Sequence, residues 1–164
     1  MNPIVPNEII LKKIYMIRNE KVMLDRDLAD LYGVKTKVLK QAVRRNIDRF
    51  PMDFMFELTR EEFDNLRSQI VTSSHGGARY LPMVFTEQGI AMLSSVLKSD
   101  KAIQMNIQII RIFTKIRRLV LKNMDIKKEL EDFKGQTEER FNIIFQTLDQ
   151  LIAIDEKPKK KIGF

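Results

Sequence analysis

Apolar and polar positions along this chain follow two periods, and where the period changes the elements can be read. Leu28, Ala29, Leu31 and Tyr32 recur at helical spacing and predict a short helix, with Asp25 as its N-cap. Gly33 follows where the chain must bend with positive φ, and Val34 is expected to point back inward. Val38, Leu39, Ala42 and Val43 predict the buried stripe of a second helix. Lys37, Lys40, Gln41 and Arg44 fall at i, i+3, i+4 and i+7, so they are expected to share one exposed face, flanked by Lys35, Thr36 and Arg45. Two short helices joined by a tight turn, the second basic on one side, form the layout of a helix-turn-helix. A cationic helix face is ordinarily just a solvated face. The preceding helix, the turn at Gly33 and the small Ala29 at the helix crossing favour nucleic acid over that plain reading.

Upstream, MNPIVPN is a Pro-containing lead-in and Glu8–Lys13 a short helix. Ile14–Arg18 and Lys21–Leu24 read as a β-hairpin turning at Asn19-Glu20. The competing pattern is a single helix from Asn7 to Arg18, since Ile10, Ile14 and Ile17 also fit a 3.6 period. Downstream, Pro51 marks the end of the second helix. Phe54, Phe56 and Leu58 alternate with Met55 and Glu57 and predict a strand. Thr59 and Glu62 form a capping box that opens a helix with Phe63, Leu66 and Ile70 inward. VTSSHGGAR (71–79) is a loop. It is either a mobile surface loop or a wing in which Arg79 reaches a phosphate or the minor groove. Tyr80–Phe85 is a strand interrupted by Pro82, which places it at an edge or near a bulge. Thr86 caps the next helix, with Ile90, Leu93, Val96 and Leu97 as its apolar stripe, and a further helix starts at Ser99 or Asp100.

From Asp100 to about Phe133 the pattern is one long helix. Ile112, Ile116, Leu119, Asn123, Ile126, Leu130, Phe133 and Thr137 step alternately by 4 and 3, a heptad seam for oligomerisation. Ile109, Phe113 and Val120 widen the apolar surface of its first half, which is expected to pack on the globular domain or to sit in a thicker bundle. Gly135 predicts a kink or turn. Phe141, Ile144, Leu148 and Leu151 then resume the spacing in a second amphipathic helix. Either a helical hairpin or an intermolecular coiled coil satisfies this pattern, and pairing between copies is favoured because dimeric DNA readers use paired half-sites. Arg111, Lys115, Arg118 and Lys122 lie on one side of the long helix, as a second phosphate-contacting surface or simply a solubilising one.

Charge sharpens the picture. The 164 residues carry 29 Lys and Arg against 22 Asp and Glu, a net +7 that favours an anionic partner. There is no Cys and a single His, His75, read as an exposed loop residue. No disulfide framework, thiolate metal site, phosphate-binding glycine loop or nucleophile elbow is present in the sequence, so neither catalytic residues, a metal nor a cofactor is expected. No apolar run approaches the roughly 20 residues of a membrane span, and no signal-peptide pattern opens the chain, so a cytoplasmic location is the default.

Four blocks in this order carry a family resemblance: VMLDRDLADLYGV (22–34), RFPMDFMFELT (49–59), GGARYLPMVFTEQGIAMLSSVL (76–97) and AIQMNIQIIRIF (102–113). Over roughly residues 8–119 the chain resembles the phage-type "ORF six N-terminal" domain family, related to the KilA-N and Bro-N domains. The resemblance implies a small α+β DNA-binding domain of the kind found in large DNA viruses, phages and prophage-bearing bacteria. It also implies attachment to variable C-terminal modules, some relatives being similar to phage antirepressors. After residue 119 the pattern is helical and short, with no second globular domain of the antirepressor type expected. The resemblance fixes no base-reading code, so the DNA-contact residues named above rest on helix geometry.

The sequence therefore predicts an α+β fold: a helix-turn-helix-containing domain with short strands over 1–98, a long coiled-coil helix over 99–134, a second amphipathic helix over 135–154 and a basic flexible tail over 155–164. The expected function is double-stranded DNA binding by a transcriptional regulator or prophage-derived control factor. Lys35, Thr36, Lys37, Lys40, Gln41, Arg44, Arg45 and Arg79 are its DNA-binding candidates, with Gln41 and Arg44 for base edges. The alternative is an antirepressor-like adaptor whose coiled coil captures a protein partner.

Overall fold

The computed structural model of the chain describes residues 4–69, 80–136 and 138–156. The expected wing, with His75 and Arg79, lies outside the described residues, as do Ile70, the seam position Thr137 and the tail from 157 onward. The chain divides into two compact units, Met1–Lys115 and Ile116–Phe164.

The first unit is α+β, as expected. After α1 (Asn7–Leu11) come two strands, β1 (Ile14–Ile17) and β2 (Glu20–Leu24), which excludes the single helix from Asn7 to Arg18. Arg18 and Asn19 both take left-handed backbone angles, with φ of 54° and 63°. That is the two-residue turn whose twist matches the strands it joins. It falls one residue earlier than the expected Asn19-Glu20. A left-handed arginine is strained, and its side chain has compensating contacts. Nε and a terminal nitrogen donate to both Glu62 carboxylate oxygens at 2.8 and 2.9 Å. The guanidinium also lies 4.2 Å from the Phe56 ring centroid.

The strands β3 (Met55–Glu57) and β4 (Met83–Phe85) complete a four-stranded antiparallel sheet in the order β1-β2-β4-β3. The expected edge position of β4 is thus corrected: it is central. Pro82 precedes the ladder instead of interrupting it, so its missing N–H breaks no strand pairing, and its carbonyl accepts from the Leu58 amide at 3.0 Å. Register sets two cross-strand rows. Leu24, Val84 and Phe56 align on one face, where they pack with Val22, Leu58 and with Phe63 and Leu66 of α4 (Arg60–Gln69). Met23, Phe85 and Met55 align on the other, where Phe85 meets the edge of Phe50 at 5.9 Å between centroids. The capping box that opens α4 is present: Thr59 and Glu62 exchange backbone-to-side-chain hydrogen bonds at 2.9 and 3.1 Å.

The helix α5 (Glu87–Leu93) is capped by Thr86, whose Oγ1 accepts from the Gly89 amide at 3.3 Å. Gly89 has no room for a side chain, since a Cβ would come within 1.9 Å of the Phe54 carbonyl oxygen. The long α6 (Asp100–Gln136) starts under Ser99, whose Oγ accepts from the Ala102 amide. Its first turns belong to the core: Ala102, Met105, Ile109, Ile112 and Phe113 are all buried. Two buried amides join them. Asn106 accepts from the Tyr32 hydroxyl and donates to the Ile90 carbonyl and Ser94 Oγ at 3.0 and 2.8 Å. Gln108 donates to the Val5 carbonyl at 2.6 Å and accepts from the Ile4 amide at 3.0 Å, holding the lead-in segment.

In the second unit, α6 runs on through Gly135 to Gln136, so of the two expectations the short turn does not fall at Gly135. The helix α7 (Glu138–Glu156) follows. Leu119, Asn123, Ile126, Leu130 and Phe133 of α6, and Ile144, Leu148 and Leu151 of α7, are exposed. Ile112 is corrected as a seam residue: at 3% exposure it is spent in the core of the first unit.

Candidate nucleic-acid interface

Between β2 and the Pro51 corner the chain makes the expected helix pair, α2 (Asp25–Tyr32) and α3 (Thr36–Arg45). Gly33 joins them at φ 74°. The Val34 amide reaches back to the Ala29 carbonyl at 3.0 Å and the Gly33 amide to Asp30 at 3.2 Å, so two orphan carbonyls of α2 are satisfied. Leu28, Ala29, Leu31 and Tyr32 of α2 and Leu39 and Val43 of α3 are buried, and they fix which side of α3 faces outward.

Asp25 is not an N-cap. The helix is capped at Leu24 and Asp25 is its first residue, 2% exposed. Its Oδ1 accepts from the Arg26 amide at 2.6 Å and its Oδ2 from the Met83 amide at 2.9 Å. The ammonium of Lys40 sits 3.3 Å from that same Oδ2 and donates to the Leu81 carbonyl at 3.2 Å. The Tyr80 ring lies 5.9 Å from it. Lys40 therefore does not share the outward face with Lys37, Gln41 and Arg44; its charge is committed to Asp25. A second acidic group of α2, Asp27, is pushed above the ordinary carboxylate range by burial, which the Lys13 ammonium at 3.5 Å only partly offsets.

What faces outward is the arc Lys37, Val38, Gln41, Arg44 and Arg45, with Lys35 beside its start and Thr36 half-buried. Lys37, Gln41, Arg44 and Arg45 line a shallow concavity. Among the described residues, Lys35, Lys37, Arg44 and Arg45 make no ion pair. Val38 is corrected from the buried stripe: it is 45% exposed. The exchange of Val38 for Lys40 has a simple geometric sense. At about 100° per residue, Lys40 lies about 80° from the middle of the Leu39–Val43 stripe and Val38 about 120° from it. A wheel centred on those two residues alone gives this order.

The cations of α6 that were read as a second surface, Arg111, Lys115, Arg118 and Lys122, are each exposed. Among the described residues no group of three or more metal-ligating side chains comes together, and no helix is long and apolar enough to cross a membrane.

Comparison with known families finds one described as the ORF6N domain matching residues 12–96, from the last turn before the hairpin to just beyond α5. No curated protein and no solved structure matches the chain.

Proposed function

Because the chain belongs to the ORF6N domain family, a phage-type family that is in general regulatory and non-enzymatic, we propose that it is a regulator that binds double-stranded DNA by laying α3 in the major groove. The observation that carries this reading is the outward arc of α3. It gathers Lys37, Arg44 and Arg45 around Gln41, leaves them without ion-pair partners among the described residues, and mounts them on a helix whose inner side is locked. Lys35, Thr36, Lys37 and Arg45 take phosphates, while Gln41 and Arg44 reach base edges. Arg79 keeps its place as a candidate from sequence. Lys40 acts as a strut for α3 instead of a phosphate contact.

The test is fluorescence anisotropy with random double-stranded DNA at two salt concentrations, comparing the parent with Lys37→Ala/Arg44→Ala. Binding that falls steeply with salt, with the slope about one unit shallower in the double variant through loss of the Lys37 phosphate contact, supports the reading. Binding indifferent to the double variant removes α3 as the contact surface.

The α6 seam supports a second copy of the chain as the covering partner. Asn123 sits amid Leu119, Ile126, Leu130 and Phe133, with Ile116 at its start. A seam amide needs another amide, and an identical helix running parallel in register supplies one. Leaving such an amide unpaired costs about 1–3 kcal/mol. In a parallel pair Lys122 of one helix faces Lys127 of the other at flanking positions, a like-charge contact that works against the pairing the amide favours. The same exposed seam is what would favour the adaptor reading, in which it takes a different protein instead.

A further inference from the structure

Val38 is the one apolar side chain on the outward arc of α3, and among the described residues it lies outside the buried stripe that packs this helix on the domain. Leu39 and Val43 fill the core at 0% exposure, while Val38 stands 45% exposed beside exposed Gln41 and Arg45. Valine is also a weaker helix former than the Lys, Arg or Gln around it, because branching at Cβ restricts its rotamer. A helix selected only for solubility and helicity would carry a straight polar chain at this position.

The major groove presents a single apolar group to a reading helix, the C5-methyl of thymine; every other edge is a donor or acceptor. We propose that Val38 reads a thymine methyl, next to the base edge taken by Gln41. The inference rests on the DNA-binding reading of α3 and deepens it to a base preference. Residues three apart on a helix are neighbours, about 5–6 Å between Cβ atoms. Successive bases along one strand rise about 3.4 Å. Val38 and Gln41 thus address base pairs within one or two steps of each other. Glutamine pairs best with adenine, through N6 and N7. The preferred sequence contains a further A·T pair, besides the one that Gln41 reads, within two steps of it.

The test separates the methyl contact from DNA binding as such. The full-length chain selects double-stranded DNA from a random pool. The enriched sequences are then remade with deoxyuridine in place of thymidine, which removes the methyl and leaves base pairing and charge intact. The parent loses about fourfold in affinity on the deoxyuridine form for each buried methyl, and single replacements localise the loss to one or two positions per bound helix. Val38→Ala binds the thymidine form about as weakly as the parent binds the deoxyuridine form, and it no longer distinguishes the two. Val38→Thr, which keeps one methyl, retains part of the discrimination. Because Val38 is exposed, both variants are expected to melt with the parent, and circular dichroism confirms that they are folded. Equal affinity of the parent for both forms, with salt-steep binding intact, overturns the methyl contact alone. No binding of the parent to any DNA at low salt overturns the DNA-binding reading, and this inference with it.

Discussion

Lys40 Nζ stands 3.3 Å from Asp25 Oδ2, and the same oxygen receives the Met83 amide. One carboxylate thus joins the N-terminus of α2, the middle of α3 and the start of β4. Its side chain is 3% exposed and that of Lys40 12% exposed, so the pair is held largely out of water. Removing one partner of such a pair leaves a buried charge uncompensated, at about 3 kcal/mol or more. Lys40→Met should lower stability by that order in urea unfolding. It should leave the salt dependence of DNA binding by the still-folded variant unchanged. A shallower salt slope without loss of stability would make Lys40 a phosphate contact after all.

The hairpin tip is secured by a contact that acid removes. The Arg18 guanidinium, followed by the Thr59 amide, pulls the Glu62 carboxyl from its ordinary 4.5 down to about 2. A depressed carboxyl stabilises the fold fully above its unfolded value, and that stabilisation disappears as pH falls from about 4.5 toward 2. Melting temperatures at neutral pH and at pH 3 should therefore diverge more in the parent than in Glu62→Gln. Since Arg18 is well exposed, added salt should shrink the difference.

Gly89 offers a steric test of the sheet-to-α5 junction. A methyl at this position would meet the Phe54 carbonyl oxygen at 1.9 Å, and that oxygen also accepts from the Thr86 amide at 3.0 Å. Neither backbone can yield without breaking the cap of α5. Gly89→Ala is expected to cost about 3 kcal/mol, at the upper end for overpacking. A thermal melt within a degree or two of the parent would show that the two segments can separate.

Self-association through α6 can be tested by chemistry that the chain leaves unused. With no native cysteine, single substitutions report pairing without background. In a parallel pair in register, Leu119→Cys and Ile126→Cys each cross-link to their own copy under mild oxidation. Cross-linking only in a mixture of two different single-cysteine chains would mean opposite direction. No cross-linking, together with a monomer in sedimentation, would leave the seam to another protein.

The parts of this fold that could be read from sequence are those set by neighbours along the chain. The hairpin, the Gly33 turn, the Thr59–Glu62 box and the Thr86 cap each depend on a few consecutive residues, and each is found within a residue of its expected place. What sequence did not reveal depends on distant partners. Asp25 looks like an N-cap until the Met83 amide, far along the chain, claims its carboxylate. Lys40 then turns inward, and Val38 is left in the open. Strand β4 looks like an edge because Pro82 was counted inside it. The wider apolar surface at Ile109 and Phe113 does mark the first half of α6 for packing, and the core takes the helix as far as Phe113; what the heptad spacing hides is that Ile112 belongs to that core and not to the seam. For the interface, Lys37, Gln41, Arg44 and Arg45 were expected outward and are outward, whereas Val38 and Lys40 exchanged places.

The recognisable family sequence ends at residue 96, yet the wall formed by Ala102, Met105, Asn106, Ile109 and Phe113 lies beyond it. Heredity and folding therefore draw different boundaries on this chain. A recombination event that joined a new tail directly after α5 would carry off the amide on which the Tyr32 hydroxyl, the Ile90 carbonyl and Ser94 depend. Such a hybrid persists only if the incoming segment begins with a helix that supplies an equivalent amide and apolar face. Exchange after Lys115, where the second compact unit begins, keeps that amide and that apolar wall with the N-terminal half.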